Sequence, residues 1–212
     1  MEEHINYIRS LFAPEDNELI EIEERIKKNT DPIQIYPEEG KVLQFLIKAS
    51  NIKSIVEIGT LAGYSTIWMA RALPKDGHIY TIEKDEARFQ LAELTFKNSA
   101  SKDKITLIHD DASKALDKLE KNAPFDMIFI DADKLHYLDY LDWTEKNIKI
   151  GGLIIADNTL LSGAVHMDEL PRRIRPTTAK NMKIFNQRLS DPNKYCSIML
   201  NTSDGMTIAL KL

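Results

Sequence analysis

The chain has 212 residues, 43% hydrophobic and 29% charged, with a formal net charge of −5, which suits one globular domain of the larger sort. Its one cysteine, Cys196, excludes an internal disulfide and a thiolate zinc cluster. The negative balance weighs against a surface built to coat nucleic acid, and no apolar stretch approaches the roughly 20 residues of a membrane span.

The start, "MEEHINYIRSLF", is acidic and amphipathic and lacks an apolar signal core, so a cytoplasmic protein is expected. The first 50 residues read as helices near 2–11, 16–28 and 38–49, with Asp31-Pro32 breaking the second helix from the third. After residue 52 short β-rich runs alternate with helical patterns: "SIVEI" (54–58), "HIYTIE" (78–83), "KITLIH" (104–109), "FDMIFID" (125–131) and "GLIIAD" (152–157). That alternation predicts βαβ units and a parallel sheet covered on both faces. In "DEARFQLAELTFKNSA", Asp85 is a candidate helix N-cap, and Phe89, Leu91, Ala92, Leu94 and Phe96 fall at helical spacing as an apolar stripe. "KYCSIMLNTSDGMTIALKL" reads as two strands around Asp204-Gly205, so the last pair is expected to be antiparallel. No linker sets off a second domain. The expectation is one α/β domain over 1–212, with N-terminal helices over 1–50 and a cofactor-binding core over 51–212.

Ligands of open α/β sheets sit outside the carboxyl ends of the strands. The first such end, "VEIGTLAGYS", supplies Glu57, Gly59 and Gly63; the next supply Glu83, then Asp110, Asp111 and Ala112, then Asp131, Asp133 and Lys134, then Asp157 and Asn158. There is no G-x-G-x-x-G and no P-loop lysine. Acids at every strand end suit a phosphate poorly, since phosphates want N–H groups and cations. Glu83 stands where an acid can accept both ribose hydroxyls of an adenosine, or where a helix dipole favours an acid. Asp111 is a candidate for the adenine amino group, or an exposed turn acid. A cationic, phosphate-free cofactor such as S-adenosylmethionine fits these acids better than NAD, with Glu57 and Asp133 offering negative charge.

The fourth and fifth strands should be neighbours, so Asp131, Asp157 and Asn158 converge. Two carboxylates and an amide oxygen are hard ligands, suited to Mg²⁺ or Ca²⁺ rather than to zinc; the alternative is that the two acids only cap their loops.

The motifs "VEIGTLAGYSTIWMA", "IYTIEKD", "FDMIFIDADKLHYLDYL", "GGLIIADNTLLSG" and the terminal "DGMTIALK" resemble the metal-dependent class I O-methyltransferases of the caffeoyl-CoA and catechol type, bacterial members included. The resemblance runs from about residue 33 to the C-terminus. It implies a Rossmann-like methyltransferase fold with a seven-stranded sheet and an antiparallel final strand. It implies an S-adenosylmethionine site lined by Glu57, Gly59, Ser65, Glu83, Ala112, Asp133 and Tyr140, with the backbone near Ile33 and Ile35 closing over it; Asp111 and Asp131 are counted with these candidate cofactor contacts. It implies a divalent cation (Mg²⁺, or Mn²⁺ or Ca²⁺) on Asp131, Asp157 and Asn158, and a homodimer. Lys134 then stands beside the ion, where its pKa is lowered and it can act as general base, with Asp131 as its catalytic partner. The chain departs from the plant enzymes at Leu161, where they carry a tryptophan, at Tyr36, and at "LNTSDG", which replaces "LPVGDG".

The expected activity is metal-dependent O-methylation of a small, catechol-like aromatic. A second reading takes a hydroxylated wobble uridine of tRNA as acceptor, held by the basic stretch Arg172, Arg173, Arg175, Lys180 and Lys183, which otherwise is a solvated face. An NAD oxidoreductase is the alternative of another class. The five histidines show no ligand spacing, and Trp68, Met69 and Trp143 read as packing.

Overall fold

The computed structural model describes residues 2–212. Among them are eight α-helices and seven strands, hydrogen-bonded in the order β3-β2-β1-β4-β5-β7-β6. The chain forms two compact units. One runs up to Ser54 and resumes over Thr60–Asp111; the other holds Ile55–Gly59 and Ala112–Leu212.

The first unit carries α1 (Glu2–Phe12), α2 (Asn17–Asn29), α3 (Pro37–Ala49), α4 (Tyr64–Ala72), β2 (His78–Glu83), α5 (Glu86–Asn98) and β3 (Ile105–His109). Asp16 caps α2 by accepting from the Leu19 N–H at 3.2 Å, and Leu19, Ile22 and Ile26 bury one stripe of that helix. At α3, Pro37 occupies the first turn and the Glu39 carboxylate accepts from the Tyr36 N–H at 2.7 Å. Helix α4 is buried at every position except Arg71, which matches its apolar sequence. β2 and β3 pair in parallel from Ile79 opposite Ile105 to Glu83 opposite His109.

Two expectations change here. Strand β3 begins one residue later than read, because Lys104 belongs to a 3₁₀ turn. The α5 stripe is narrower: Asp85 caps the helix as expected, but only Ala92, Thr95 and Phe96 are buried, and Leu94 is exposed. Helical spacing fixes direction around the axis but not how wide a face finds cover.

The second unit carries β1 (Ser54–Ile58, from Ile55 on), α6 (Ala112–Leu119), β4 (Phe125–Ile130), α7 (Tyr137–Asn147), β5 (Ile148–Ala156), α8 (Pro176–Leu189), β6 (Tyr195–Leu200) and β7 (Met206–Lys211). β1–β4 and β4–β5 are parallel; β5–β7 and β6–β7 are antiparallel. The C-terminal hairpin around Asp204-Gly205 is therefore as the sequence implied. β5 starts at Ile148, ahead of the glycines that marked its expected beginning. Gly151 has φ 74° and the β4–β5 register shifts between Phe125 and Met127, so the glycines form an irregularity within the strand rather than its boundary.

Candidate active site

In the second unit the strand order reverses between β1 and β4, the place where open α/β sheets bind ligands. Both strands stop together: the Asp131 N–H donates to Ile58 O at 2.9 Å, and the Asp157 N–H donates to Ile130 O at 3.0 Å. Ile130 lies opposite Ala156, so Asp131 and Asp157 leave adjacent strands at one level, about 4.8 Å apart in strand spacing. Gly59 sits at φ 102°, and a Cβ there would stand 2.0 Å from Asp131 O. Only glycine lets the chain leave β1 so close to the end of β4.

Lys134 reaches back to this level. Its Nζ donates to Asp131 Oδ1 at 2.8 Å and to Tyr137 Oη at 2.8 Å. Burial opposes the charge on Lys134, but the Asp131 carboxylate and the Tyr137 hydroxyl outweigh it and hold its pKa above the ordinary lysine value. Tyr137 is fully buried, and burial first of all raises its pKa too. Its hydroxyl is within reach of Ile130 O (3.1 Å) and Asp157 O (2.9 Å). One phenol thus ties the lysine to the ends of β4 and β5. Sequence reading placed no role on Tyr137; its one signal was its place three residues after Lys134, on the same face of a turn.

Asp157 is buried and Asn158 half-buried. Asn158 has φ 55°, a left-handed conformation that asparagine tolerates, and its Nδ2 donates to Asp157 Oδ2 at 3.2 Å. Among the described residues no group of three or more His, Cys, Asp or Glu side chains could hold a metal. The set at hand is two carboxylates and a carboxamide. These all-oxygen donors fit a hard divalent cation and exclude the softer sites built of thiolate and imidazole.

Four further sequence candidates belong to this unit. Glu57 is fully buried within β1, opposite Phe129. Asp133 is exposed and accepts from the Leu135 N–H at 3.1 Å. Tyr140 is buried, its ring 6.3 Å from that of Tyr137. Ala112 opens α6 and is half-buried.

In the first unit, Glu83 is buried, with Oε2 accepting from the Leu61 N–H and Oε1 from the Asp85 N–H, each at 2.9 Å. Leu61 has φ 54°. Glu83 therefore anchors the glycine loop, and each carboxylate oxygen retains a second lone pair for a ligand. Below it Thr60 and Thr81 share a buried hydroxyl contact of 2.6 Å. Gly63, at φ 89°, would drive a Cβ to 2.4 Å from the Phe96 ring. Ser65 is buried in the first turn of α4. Ile35 is buried, whereas Ile33 and Asp111 are exposed.

Seven strands in this order, with an antiparallel last pair and acids at the strand ends, define a Rossmann-like methyltransferase. More narrowly, the sequence pattern of the O-methyltransferase family matches residues 11–212, and the chain belongs to that family. It is 40% identical, over 97% of its length and 95% of the relative's, to a catechol O-methyltransferase of Niastella koreensis. It is 32% identical to a caffeoyl-CoA O-methyltransferase of Populus kitakamiensis, over 97% and 91% of the two chains. An O-methyltransferase from Bacillus cereus, solved in complex with SAH, superposes with a TM-score of 0.87 at 29% identity, over 97% of this chain and 96% of that one. This family membership sets aside the oxidoreductase reading.

Proposed function

We propose that the chain is an S-adenosylmethionine-dependent and divalent-metal-dependent O-methyltransferase acting on a hydroxyl of a small, catechol-like aromatic. The observation that carries this reading is the side-by-side emergence of Asp131 and Asp157 from β4 and β5, with Asn158 next in the chain. The kinship with enzymes named for catechol and caffeoyl-CoA supports the acceptor class.

Cofactor contacts fall to Ile33, Ile35, Glu57, Gly59, Ser65, Glu83, Asp111, Ala112, Asp131, Asp133 and Tyr140. Asp131, Asp157 and Asn158 would hold a divalent ion, which would supply Lewis acidity toward the acceptor hydroxyl. The charge of such an ion would oppose the proton that Asp131 and Tyr137 favour on Lys134; as the neutral amine Lys134 Nζ would take the acceptor's proton, with Tyr137 keeping it aimed at the strand ends. The methyl carbon passes from the sulfonium to the acceptor oxygen, the C–S electron pair stays on sulfur, and S-adenosylhomocysteine (SAH) leaves. Orienting donor and acceptor contributes much of the rate. The chain acts as one methyltransferase domain, in the cytoplasm, as a homodimer; the exposed apolar residues Tyr7, Leu11 and Phe12 of α1 support self-association.

The test is methylation of catechol by the purified chain, with and without chelator, beside Asp157→Ala. Turnover that stops on chelation and in the variant supports the reading; turnover indifferent to both ends the metal mechanism. A second acceptor reading, a wobble uridine of tRNA, rests on Arg172, Arg173, Arg175, Lys180 and Lys183, all exposed. A deletion strain whose tRNA keeps every methylated nucleoside by mass spectrometry excludes it.

A further inference from the structure

The loop after Asn158 is held in an unusual way. Within six residues, Asn158 (φ 55°), Leu161 (φ 51°), Ser162 (φ 52°) and Gly163 (φ 86°) all take left-handed backbone conformations. Three of these are not glycine, and leucine has no side-chain means of easing that geometry. Such a loop persists only where its surroundings over-determine it.

Those surroundings are the turn between β6 and β7. The Thr159 N–H and Oγ1 both reach Gly205 O, at 2.9 and 3.1 Å. The Leu160 N–H donates to Asp204 O at 2.9 Å, and the Ser162 N–H donates to Asp204 Oδ1 at 2.6 Å. Thr159 Oγ1 also meets Thr207 Oγ1 at 2.9 Å, and Asn186 Nδ2 donates to Thr159 O at 2.8 Å. Gly205, at φ 78°, packs so closely that a Cβ would lie 2.6 Å from Leu160 Cγ. Every one of these contacts falls on the residues directly after Asp157 and Asn158.

We infer that Asp204 is a positioning residue: with Gly205 it clamps the loop Thr159–Gly163 and thereby fixes the Asn158 carboxamide beside the Asp157 carboxylate for a divalent cation. The inference rests on the metal reading above. Asp204 touches neither ion nor acceptor; it acts through the loop backbone, as partners behind metal ligands do.

The probe is Mn²⁺ alone, titrated into the full chain and followed by the electron paramagnetic resonance of free aqueous Mn²⁺. Wild type, Asp204→Ala, Asp204→Asn and Gly205→Ala are compared, each first checked for cooperative thermal unfolding. Asp204→Ala is expected to raise the Mn²⁺ dissociation constant roughly 10-fold to 100-fold. Asp204→Asn, which retains an oxygen for the Ser162 N–H, restores affinity close to wild type. A folded Asp204→Ala that binds Mn²⁺ like wild type overturns the inference, as does an Asp204→Asn as weak as Asp204→Ala. If Asp204→Ala does not fold, Gly205→Ala decides in its place: weakened Mn²⁺ binding supports the clamp, and unchanged binding overturns it. A wild-type chain that binds no Mn²⁺ sinks the metal reading and this inference together, whereas wild-type binding with indifferent variants sinks the inference alone.

Discussion

Lys134 donates to the phenol oxygen of Tyr137 at 2.8 Å, and that phenol is within 2.9 Å of the main-chain oxygen of Asp157. A buried tyrosine thus connects a charged side chain to the ends of two strands. Tyr137→Phe keeps the ring's packing but leaves Lys134 one acceptor short and a buried carbonyl without its donor. The expected loss is about 1–3 kcal/mol in urea unfolding, with a fall in kcat larger than any change in acceptor KM. A variant with wild-type stability and kcat would show that the phenol has no such positioning role.

Gly59→Ala tests the closeness of β1 and β4 at their ends. The added methyl meets backbone, the Asp131 carbonyl at 2.0 Å, and φ is 102°. No side chain can rotate away to make room. Destabilisation of about 3 kcal/mol or more is expected from overpacking and backbone strain together. The denaturation midpoint reads it directly.

Glu83→Gln separates two duties of one carboxylate. Glutamine offers a single oxygen where Leu61 and Asp85 each present an N–H. Stability should fall by about 1–2 kcal/mol, and calorimetric affinity for SAH should fall with it if Glu83 also receives ribose. Lower stability with unchanged SAH affinity would assign Glu83 to the loop alone.

At Asp16, burial opposes the charge, but hydrogen bonds from Arg71 and from the Leu19 N–H outweigh it and hold the pKa below its ordinary 3.8. A carboxyl depressed in the folded state contributes stability above that ordinary value and loses it as pH falls through the folded pKa. Asp16→Ala should therefore cost about 1 kcal/mol near neutral pH, the usual worth of an N-cap. The gap between variant and wild type should narrow below about pH 4. Chemical denaturation at a series of pH values measures it; a gap that is constant down to the acid limit would refute the assignment.

Much of this site was legible from the chain alone because it lies at strand ends. Apolar runs located β1, β2 and β4 to within a residue, and adjacency of β4 and β5 was enough to bring Asp131 and Asp157 together. Asp85 was readable as a cap because capping is local. What escaped depends on contacts that have no period. The Asp204–Ser162 bond spans 42 positions, and no sequence pattern singled out Tyr137. Leu94 was misplaced because spacing along α5 says nothing about whether the neighbouring surface extends that far. Glu83 carried a ligand's signature, yet the same carboxylate also props up Leu61 in a conformation that nothing in its own sequence announces.

The register of β1 against β4 bears on how the chain comes into being. Ile55 is matched with Met127 and Ile58 with Ile130, so β1 leaves the ribosome long before the strand it lies beside. Until then the apolar segment "SIVEI" lacks that neighbour, a vulnerable interval for a β-prone sequence. Pairings this distant in the chain also slow folding, since the intervening segment must be closed before the contact forms. A nascent chain halted just short of residue 125 should therefore be far more sensitive to protease across residues 54–58 than one released at full length.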